Sequence, residues 1–290
     1  MKPCARICLF ALLVAGGAVL GFTPSGPGAA AFARAAPPVP EGVRSGGDTP
    51  HYGVRVVRVH PHDPEAYTQG LFYEDGHLYE STGLYGMSSL REVDPVSGRI
   101  LRIRRLSPEI FGEGIAHCRG RIVQLSWREQ VGFVYDLKTF RLLERFSYAG
   151  EGWGITCDGR HLIVSDGTPR LRFLDPATRR VVKVLTVADR DGRPVPLLNE
   201  LEYVAGEVFA NIWKSRTIAR ICPKTGRVAG WIHLDDLDRG GSPEGANGIA
   251  YDEAGGRLFV TGKRWPYLYE VVLMPRARPL GEGRTGEAAP

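Results

Sequence analysis

Phe111-Gly112-Glu113-Gly114-Ile115 is one rung of an internal repeat, and that repeat decides the fold. Its counterparts are Gln69-Gly70-Leu71, Trp153-Gly154-Ile155, Asn199-Glu200-Leu201 and Asn247-Gly248-Ile249. Gln69, Glu113, Trp153, Asn199 and Asn247 are separated by 44, 40, 46 and 48 positions. Units of this length, built from strand-like segments, are the signature of a β-propeller. The first residues of the rungs are then symmetry-related and converge on one central site.

Each unit carries two further signals. A turn and a hydrophobic strand follow the rung, as in Leu78–Ser81, Ile122–Leu125, Leu162–Ser165, Val208–Asn211 and Leu258–Thr261. A hairpin comes next, with a turn resembling Asp-Pro-x-Thr/Ser-Gly, at Leu90–Leu101, Phe133–Leu143, Leu171–Val182 and Ile218–Val228. Asp and Pro open such a turn, and Gly supplies its positive φ. The last unit stops at Tyr267–Leu273, one strand short, and Val54–Val59 is a spare strand near the N-terminus. The expectation is an all-β, five-bladed propeller over residues 51–275. Its blades are four-stranded, and the N-terminal strand completes the fifth, which removes exposed sheet edges.

The flanks read differently. Lys2 and Arg6 precede the apolar run Ile7 to Leu20, and small residues follow, so residues 1–36 are predicted to be a secretory signal peptide. Residues 37–50 read as a flexible Pro/Gly leader and 276–290 as a disordered tail. The protein is therefore expected to be exported, either periplasmic or secreted, with no membrane association after processing. Removing Lys2, Arg6 and Arg34 takes the formal charge from +5 to about +2, with dispersed Arg and no nucleic-acid footprint. A monomer is expected. Cys118, Cys157 and Cys222 survive processing. Cys118 and Cys157 follow equivalent glycines in adjacent units. A disulfide and a pair of buried thiols are both open, the thiols being the default. With no CxxC, a thiolate metal site is not expected.

The residues just after each first or second strand form a set: Gln69, Glu113, Trp127, Trp153, Asn199, Trp213 and Lys263. A purely structural reading makes the Trp residues packing elements and the polar ones loop supports. A packed core does not, however, choose four different polar side chains for one repeated position. Other patterns carry less. Asp189-Arg190-Asp191-Gly192 with Glu200 imitates a calcium loop, but Arg193 and Pro194 stand where an oxygen ligand and Gly are needed. Gly150-Glu151-Gly152-Trp153-Gly154 imitates part of a dinucleotide fingerprint, with no helix to follow. No metal site is expected.

Seven motifs, in order, resemble the plant and bacterial type of glutaminyl-peptide cyclotransferase. They are Tyr67-Thr68-Gln69-Gly70-Leu71, Glu80–Gly86, Ser89-Leu90-Arg91, Phe111–Gly114, Gly152-Trp153-Gly154, Leu198–Tyr203 and Thr261-Gly262-Lys263. The resemblance implies a five-bladed propeller that converts N-terminal Gln of peptides and proteins to pyroglutamate, releasing ammonia, without cofactor. It implies Glu113 as catalytic acid/base, with Lys263 and Asn199 as catalytic polar groups. Gln69, Tyr67, Phe111, Trp127, Trp153 and Trp213 would bind substrate. Tyr67 departs from the Phe more usual there.

The residues suit that chemistry. The α-amine, with a pKa near about 8, must lose a proton, and the amide nitrogen must gain one to leave as ammonia. One carboxyl raised towards neutrality by aromatic neighbours serves both transfers. Lys263 or Asn199 would stabilise the oxyanion. The competing expectation is a non-enzymatic propeller that binds a peptide or sugar in its Trp-lined channel. A calcium-dependent lactonase-type propeller ranks last, because Glu113 and Glu200 are the only rung acids.

Overall fold

The computed structural model describes residues 48–277. The segments read from the sequence as a signal peptide, as a leader (up to residue 47) and as a tail (beyond Ala277) lie outside these residues. Within them the chain is all-β, with twenty strands and no helix.

The first strand is β1 (His51–Pro61). Four quartets follow: β2 (Thr68–Glu74), β3 (His77–Thr82), β4 (Ser89–Val93) and β5 (Ile100–Arg105); β6 (Gly112–Cys118), β7 (Arg121–Ser126), β8 (Val131–Asp136) and β9 (Leu142–Ser147); β10 (Ile155–Cys157), β11 (Leu162–Val164), β12 (Arg170–Leu174) and β13 (Val181–Thr186); β14 (Leu198–Val204), β15 (Glu207–Ile212), β16 (Thr217–Ile221) and β17 (Val228–His233). The chain ends in β18 (Ala246–Asp252), β19 (Arg257–Gly262) and β20 (Tyr267–Arg276). The first three quartets are separate antiparallel sheets. The remaining strands form one eight-stranded sheet, ordered β14-β15-β16-β17-β1-β20-β19-β18. β1 pairs antiparallel with β20 from His51↔Arg276 to Pro61↔Tyr267. It also pairs parallel with β17 at His51↔Trp231 and Tyr52↔Ile232, which the sequence did not suggest.

The hairpin turns form for the reason read from the sequence. Asp94 Oδ1 accepts from the Val96 and Ser97 amides, and Asp175 Oδ1 from those of Ala177 and Thr178. Gly98 and Gly226 hold the positive φ, but Phe140 and Arg179 hold it in the other two turns. There the Asp136 and Asp175 caps hold the turn without the glycine.

The core lies between sheets rather than within one. Phe72 and Leu90 of the first quartet pack with Ile122 and Phe133 of the second. Val123 and Leu125 pack with Leu162 and Val164, and Ile163 and Phe173 with Val208 and Ala219. Phe209 and Ile232 pack with Leu258 and Val260, and Phe259 and Ala250 return to Leu71 and Leu78. Each interface removes apolar side chains of two sheets from water, the main favourable term in folding. The outer strands β5, β9 and β13 are largely exposed and carry Arg104, Arg145 and Lys183, charges that discourage edge-to-edge association.

The first strands approach one another closely. β2 lies against β6 and β18, β6 against β10, β10 against β14, and β14 against β18. Gly114 shows what this demands. Its amide donates to the Trp153 carbonyl at 2.8 Å. A Cβ there would sit 2.7 Å from that oxygen and 2.8 Å from Gly154 Cα. In the fourth unit the glycine is replaced by Glu200, whose carboxylate instead accepts from the Leu71 amide (3.3 Å) and the Ile249 amide (3.1 Å). Two residues on, Glu202 accepts from the Tyr251 amide (3.1 Å) and Thr156 Oγ1 (3.4 Å).

The cysteines correct one expectation. Cys118 and Cys157 form a disulfide rather than two buried thiols, joining the ends of β6 and β10. Their Cα atoms are 5.8 Å apart, within the range a disulfide spans. The same close approach of the first strands brings them together. Cys222 is a free thiol.

Two outcomes are expected. Gly114→Ala should cost about 3 kcal/mol in urea unfolding, because backbone rather than a yielding side chain occupies the space. Burial pushes the Glu202 carboxyl up to about 8 from 4.5. A carboxyl raised on folding contributes stability that is fully present below its unfolded pKa and is lost as pH rises through the folded one. Glu202→Gln should therefore gain on the parent between about pH 4.5 and pH 8, by up to about 5 kcal/mol and by less to the extent that solvent screens this half-buried group. Parallel unfolding curves at pH 4 and pH 9 check this; an equal difference at both would refute it.

Candidate active site

All nine residues singled out from the sequence lie at one end of the strands. Gln69, Glu113 and Asn199 sit at the starts of β2, β6 and β14. Pairing is irregular at each of these points, with register shifts between Thr68 and Gly70, Gly112 and Ile115, and Leu198 and Leu201. Ala246 to Ile249, which holds Asn247, shows the same shift. Such bulges re-aim a side chain out of the strand alternation. Here they occur where a side chain must point along the ring axis instead of into a sheet interface. Trp153 precedes β10, in the equivalent place.

Trp127, Trp213 and Lys263 follow the second strands β7, β15 and β19. One repeated backbone hydrogen bond holds them: Trp127 N to Phe111 O (3.0 Å), Trp213 N to Leu197 O (2.8 Å) and Lys263 N to Gly245 O (3.2 Å). In the first unit the same bond runs from Gly83 N to Tyr67 O at 2.8 Å. Gly83 must lack a side chain, since a Cβ there would lie 2.8 Å from Phe111 Cζ and 3.0 Å from Gln69 Cγ.

The polar residues are deeply set: Gln69 is 3 %, Glu113 4 %, Asn199 4 % and Lys263 6 % exposed. Gln69 Nε2 donates to Glu113 Oε1 at 2.9 Å. Gln69 Oε1 in turn accepts from Asn247 Nδ2 at 3.2 Å, which fixes the amide orientation. Glu113 Oε2 is buried with no hydrogen-bond partner. Lys263 Nζ lies 4.9 Å from the centre of the Tyr67 ring. Burial pushes the Glu113 carboxyl well above the usual carboxylate range; Lys263 opposes this, and Glu151 and Glu129 reinforce it. Burial pulls the Lys263 ammonium down, against the attraction of Glu113 and Glu244.

The aromatic residues form two groups. Phe111 contacts Tyr67, Tyr85 and Trp127, with centroids 6.3, 5.4 and 5.4 Å away. Trp153 meets Trp213 edge-on at 5.3 Å. Trp213 is 39 % exposed and stands at the rim rather than in the wall proper. The arrangement combines a partly unsatisfied carboxyl, a desolvated amine and an apolar wall. It suits proton transfer in a water-poor pocket.

Sequence reasoning missed three contributors. Asn247 was recognised as a rung residue but not as the group that orients Gln69. Glu129 accepts from Tyr85 Oη (2.8 Å) and the Phe111 amide (3.4 Å). Glu151 accepts from both Trp127 Nε1 (2.8 Å) and Trp153 Nε1 (2.9 Å). The available signal was the acid between glycines in Gly150-Glu151-Gly152, just ahead of the rung Trp153. Glu200, the other rung acid, is occupied by the two backbone amides of β2 and β18. The 189–192 loop is closed by its own Asp189–Arg193 and Asp191–Arg193 contacts. Among the described residues no group of three or more His, Cys, Asp or Glu is arranged to hold a metal. A cavity of about 540 Å³ opens at the opposite strand ends, lined by Glu74, His117, Thr156, Glu202, Tyr251 and Asp252 among others. Its aromatic residues are Phe72, Tyr73, Tyr203 and Tyr251, with no Trp, and two of its acids, Glu74 and Asp252, are paired with His117 and Arg257.

The family model described as glutamine cyclotransferase matches residues 29–273. A glutaminyl-peptide cyclotransferase of Arabidopsis thaliana is 45 % identical over 228 residues, 76 % of this chain and 71 % of the relative. The crystal structure of Myxococcus xanthus glutaminyl cyclase superposes with a TM-score of 0.75 at 36 % identity, covering 79 % of this chain and 100 % of that one. The chain belongs to the glutamine cyclotransferase family.

The charges around Glu113 predict how its titration responds. Lys263→Met removes the cation that opposes the effect of burial. The Glu113 carboxyl, followed by ¹³C NMR, should then titrate at a higher pH than in the parent. An unchanged or lower midpoint would contradict the electrostatic assignment.

Proposed function

We propose that this member of the glutamine cyclotransferase family converts the N-terminal Gln of peptides and proteins to pyroglutamate. The carrying observation is Glu113 Oε2, a buried carboxyl oxygen without a partner, within the electrostatic reach of Lys263 and at the strand end that also carries Asn199 and the aromatic residues.

In the reaction the substrate α-nitrogen attacks its own side-chain amide carbon. A C–N bond forms, closing the five-membered lactam, and the original C–NH₂ bond breaks. Gln69 holds Glu113 Oε1, so Oε2 is the atom that handles protons. It takes one from the α-amine as a carboxylate and delivers one to the departing nitrogen as an acid, so the leaving group is ammonia. A carboxyl whose affinity for protons lies nearer neutrality serves both steps, and such groups contribute about 10²- to 10⁴-fold. Lys263 and Asn199 stabilise the tetrahedral oxyanion, a term of roughly 3 kcal/mol per donor in comparable sites. Phe111, Trp127, Trp153 and Trp213 fold the Gln side chain back on its own amine, the orientation term that intramolecular reactions exploit. The Tyr67 hydroxyl tunes which substrates fit.

These steps need proton transfer, oxyanion donors and orientation. All three come from the side chains, so the reaction is metal-independent and of the aminoacyltransferase class. The circuit of first strands and the long β1–β20 pairing support a five-bladed propeller over residues 51–275, its last blade completed by the N-terminal strand. The charged N-terminus followed by an apolar run supports export of a protein that acts as a monomer, away from nucleic acid.

Incubated with a short Gln-initiated peptide, the mature protein should yield a product lighter by one ammonia, with or without EDTA. Glu113→Gln should lower kcat by about 10²-fold or more while remaining folded. A peptide unchanged in mass but bound, as read by Trp fluorescence, would instead make this a peptide-binding protein.

A further inference from the structure

The aromatic wall is not continuous by ring contact. Tyr67, Tyr85 and Trp127 each touch Phe111, and Trp153 touches Trp213. Among the described residues no ring contact joins the two groups. What joins them is one oxygen: Glu151 Oε2 accepts from Trp127 Nε1 at 2.8 Å and from Trp153 Nε1 at 2.9 Å.

Glu151 is itself built into place. Its other oxygen accepts from Arg128 Nε at 3.1 Å, and that guanidinium lies 3.8 Å above the Trp127 ring. Arg172 donates to the carbonyls of Ala149 and Glu151. The next amide, Gly152 N, donates to Trp127 O at 3.0 Å. A Cβ at Gly152 would lie 2.9 Å from Ser126 O, so the loop sits tightly against the strand that carries Trp127. Three donors on one carboxylate also keep it ionised: hydrogen bonds from Trp153, Trp127 and Arg128 outweigh burial and hold it below its ordinary range. Hydrogen bonds to a charged acceptor are shorter and stronger than neutral ones. An indole is free to turn about two torsions, and such a bond fixes its edge.

We propose that Glu151 is a positioning residue, whose carboxylate locks the indoles of Trp127 and Trp153 into a single surface for the N-terminal Gln of the substrate. It touches neither the reacting atoms nor the strand interfaces of the core. It orients the site through the two rings; its charge also reinforces the raised proton affinity of Glu113, so the variants are compared with the parent at their own pH optima. The proposal rests on the cyclotransferase reading above, because it supposes that the wall shapes the reactive conformer.

Three proteins separate the outcomes: the parent, Glu151→Ala and Glu151→Gln, each assayed at its own pH optimum. The glutamine keeps an oxygen that can accept from both indoles. Glu151→Ala should lose roughly 10- to 100-fold in kcat/KM, mainly in kcat, as misplaced binding surfaces do. Glu151→Gln should stay within about fivefold of the parent. The near-UV circular dichroism of the Trp residues should change in Glu151→Ala and be restored in Glu151→Gln. Alanine activity within twofold of the parent overturns the proposal, as does a folded glutamine variant as impaired as alanine. If the parent does not cyclise the peptide at all, the functional reading fails separately. The dichroism alone then decides whether Glu151 orders the indoles, and an unchanged signal in Glu151→Ala refutes it.

Discussion

Backbone lying directly on backbone between successive first strands, from β2 through β6 and β10 to β14, is the constraint from which the rest follows. Gly70 packs on Gly114 and Ile115, Gly114 on Trp153 and Gly154, and Gly154 on Asn199 and Glu200. With no side chain between them, the first strands converge until their ends share one small volume. Any Cβ there would meet a neighbouring main chain, which cannot rotate away. Three consequences follow. The hydrophobic clusters lie between neighbouring strand units. The chain must bulge at the rung to free the next side chain. Three of the residues so freed, Asn247, Gln69 and Glu113, form one hydrogen-bonded chain.

That convergence explains the chemistry of Glu113. It stands between Gly112 and Gly114, whose missing side chains let neighbouring main chain close around it. The carboxyl is thereby stripped of water and given one donor, Gln69, for two oxygens. Burying an ionisable group with incomplete partners is unfavourable, and the group responds by holding its proton more tightly. The fold tolerates this because the hydrophobic clusters between strand units supply stability elsewhere. Glu200 is a second buried carboxyl in this circuit, with its proton affinity raised by burial as well but its oxygens occupied. Glu200 has an amide donor for each oxygen, so it joins three strands and has no atom left for a ligand.

Much of this was legible in the sequence, and the boundary of legibility has a physical cause. The repeat, its strands, the hairpin turns and the site set could be read because they depend on local spacing and turn chemistry. Asp94 and Asp175 cap their turns as their positions suggest. The parallel contact of β1 with β17 could not be read, since it depends on where two distant ends meet. Neither could the disulfide be chosen over two thiols: equivalent positions in adjacent units allow both, and only the separation of the strands decides. Glu151 was visible as a residue but not as a function, because its partners come from two loops that the sequence does not juxtapose. Asn247 was placed correctly but given no role, because its role is to orient Gln69 rather than to meet a ligand.

The repeat also explains how one pocket acquires unlike groups. Gly83, Trp127, Trp213 and Lys263 occupy one backbone position, each held by the same hydrogen bond to the residue two places before its rung. The tether specifies where the side chain begins and is indifferent to what it is. One unit can therefore hold a glycine that makes room for Phe111, two can hold indoles, and another an amine, without altering the strands beneath. The rung positions divide their labour in the same way among Gln69, Glu113, Trp153, Asn199 and Asn247. Neighbouring units then need an added tie wherever their side chains do not touch. Between the second and third units that tie is a carboxylate on a loop, not a packed ring. The symmetric backbone fixes positions, while a few asymmetric polar contacts fix orientations, and it is orientation that a reaction within a single substrate residue requires.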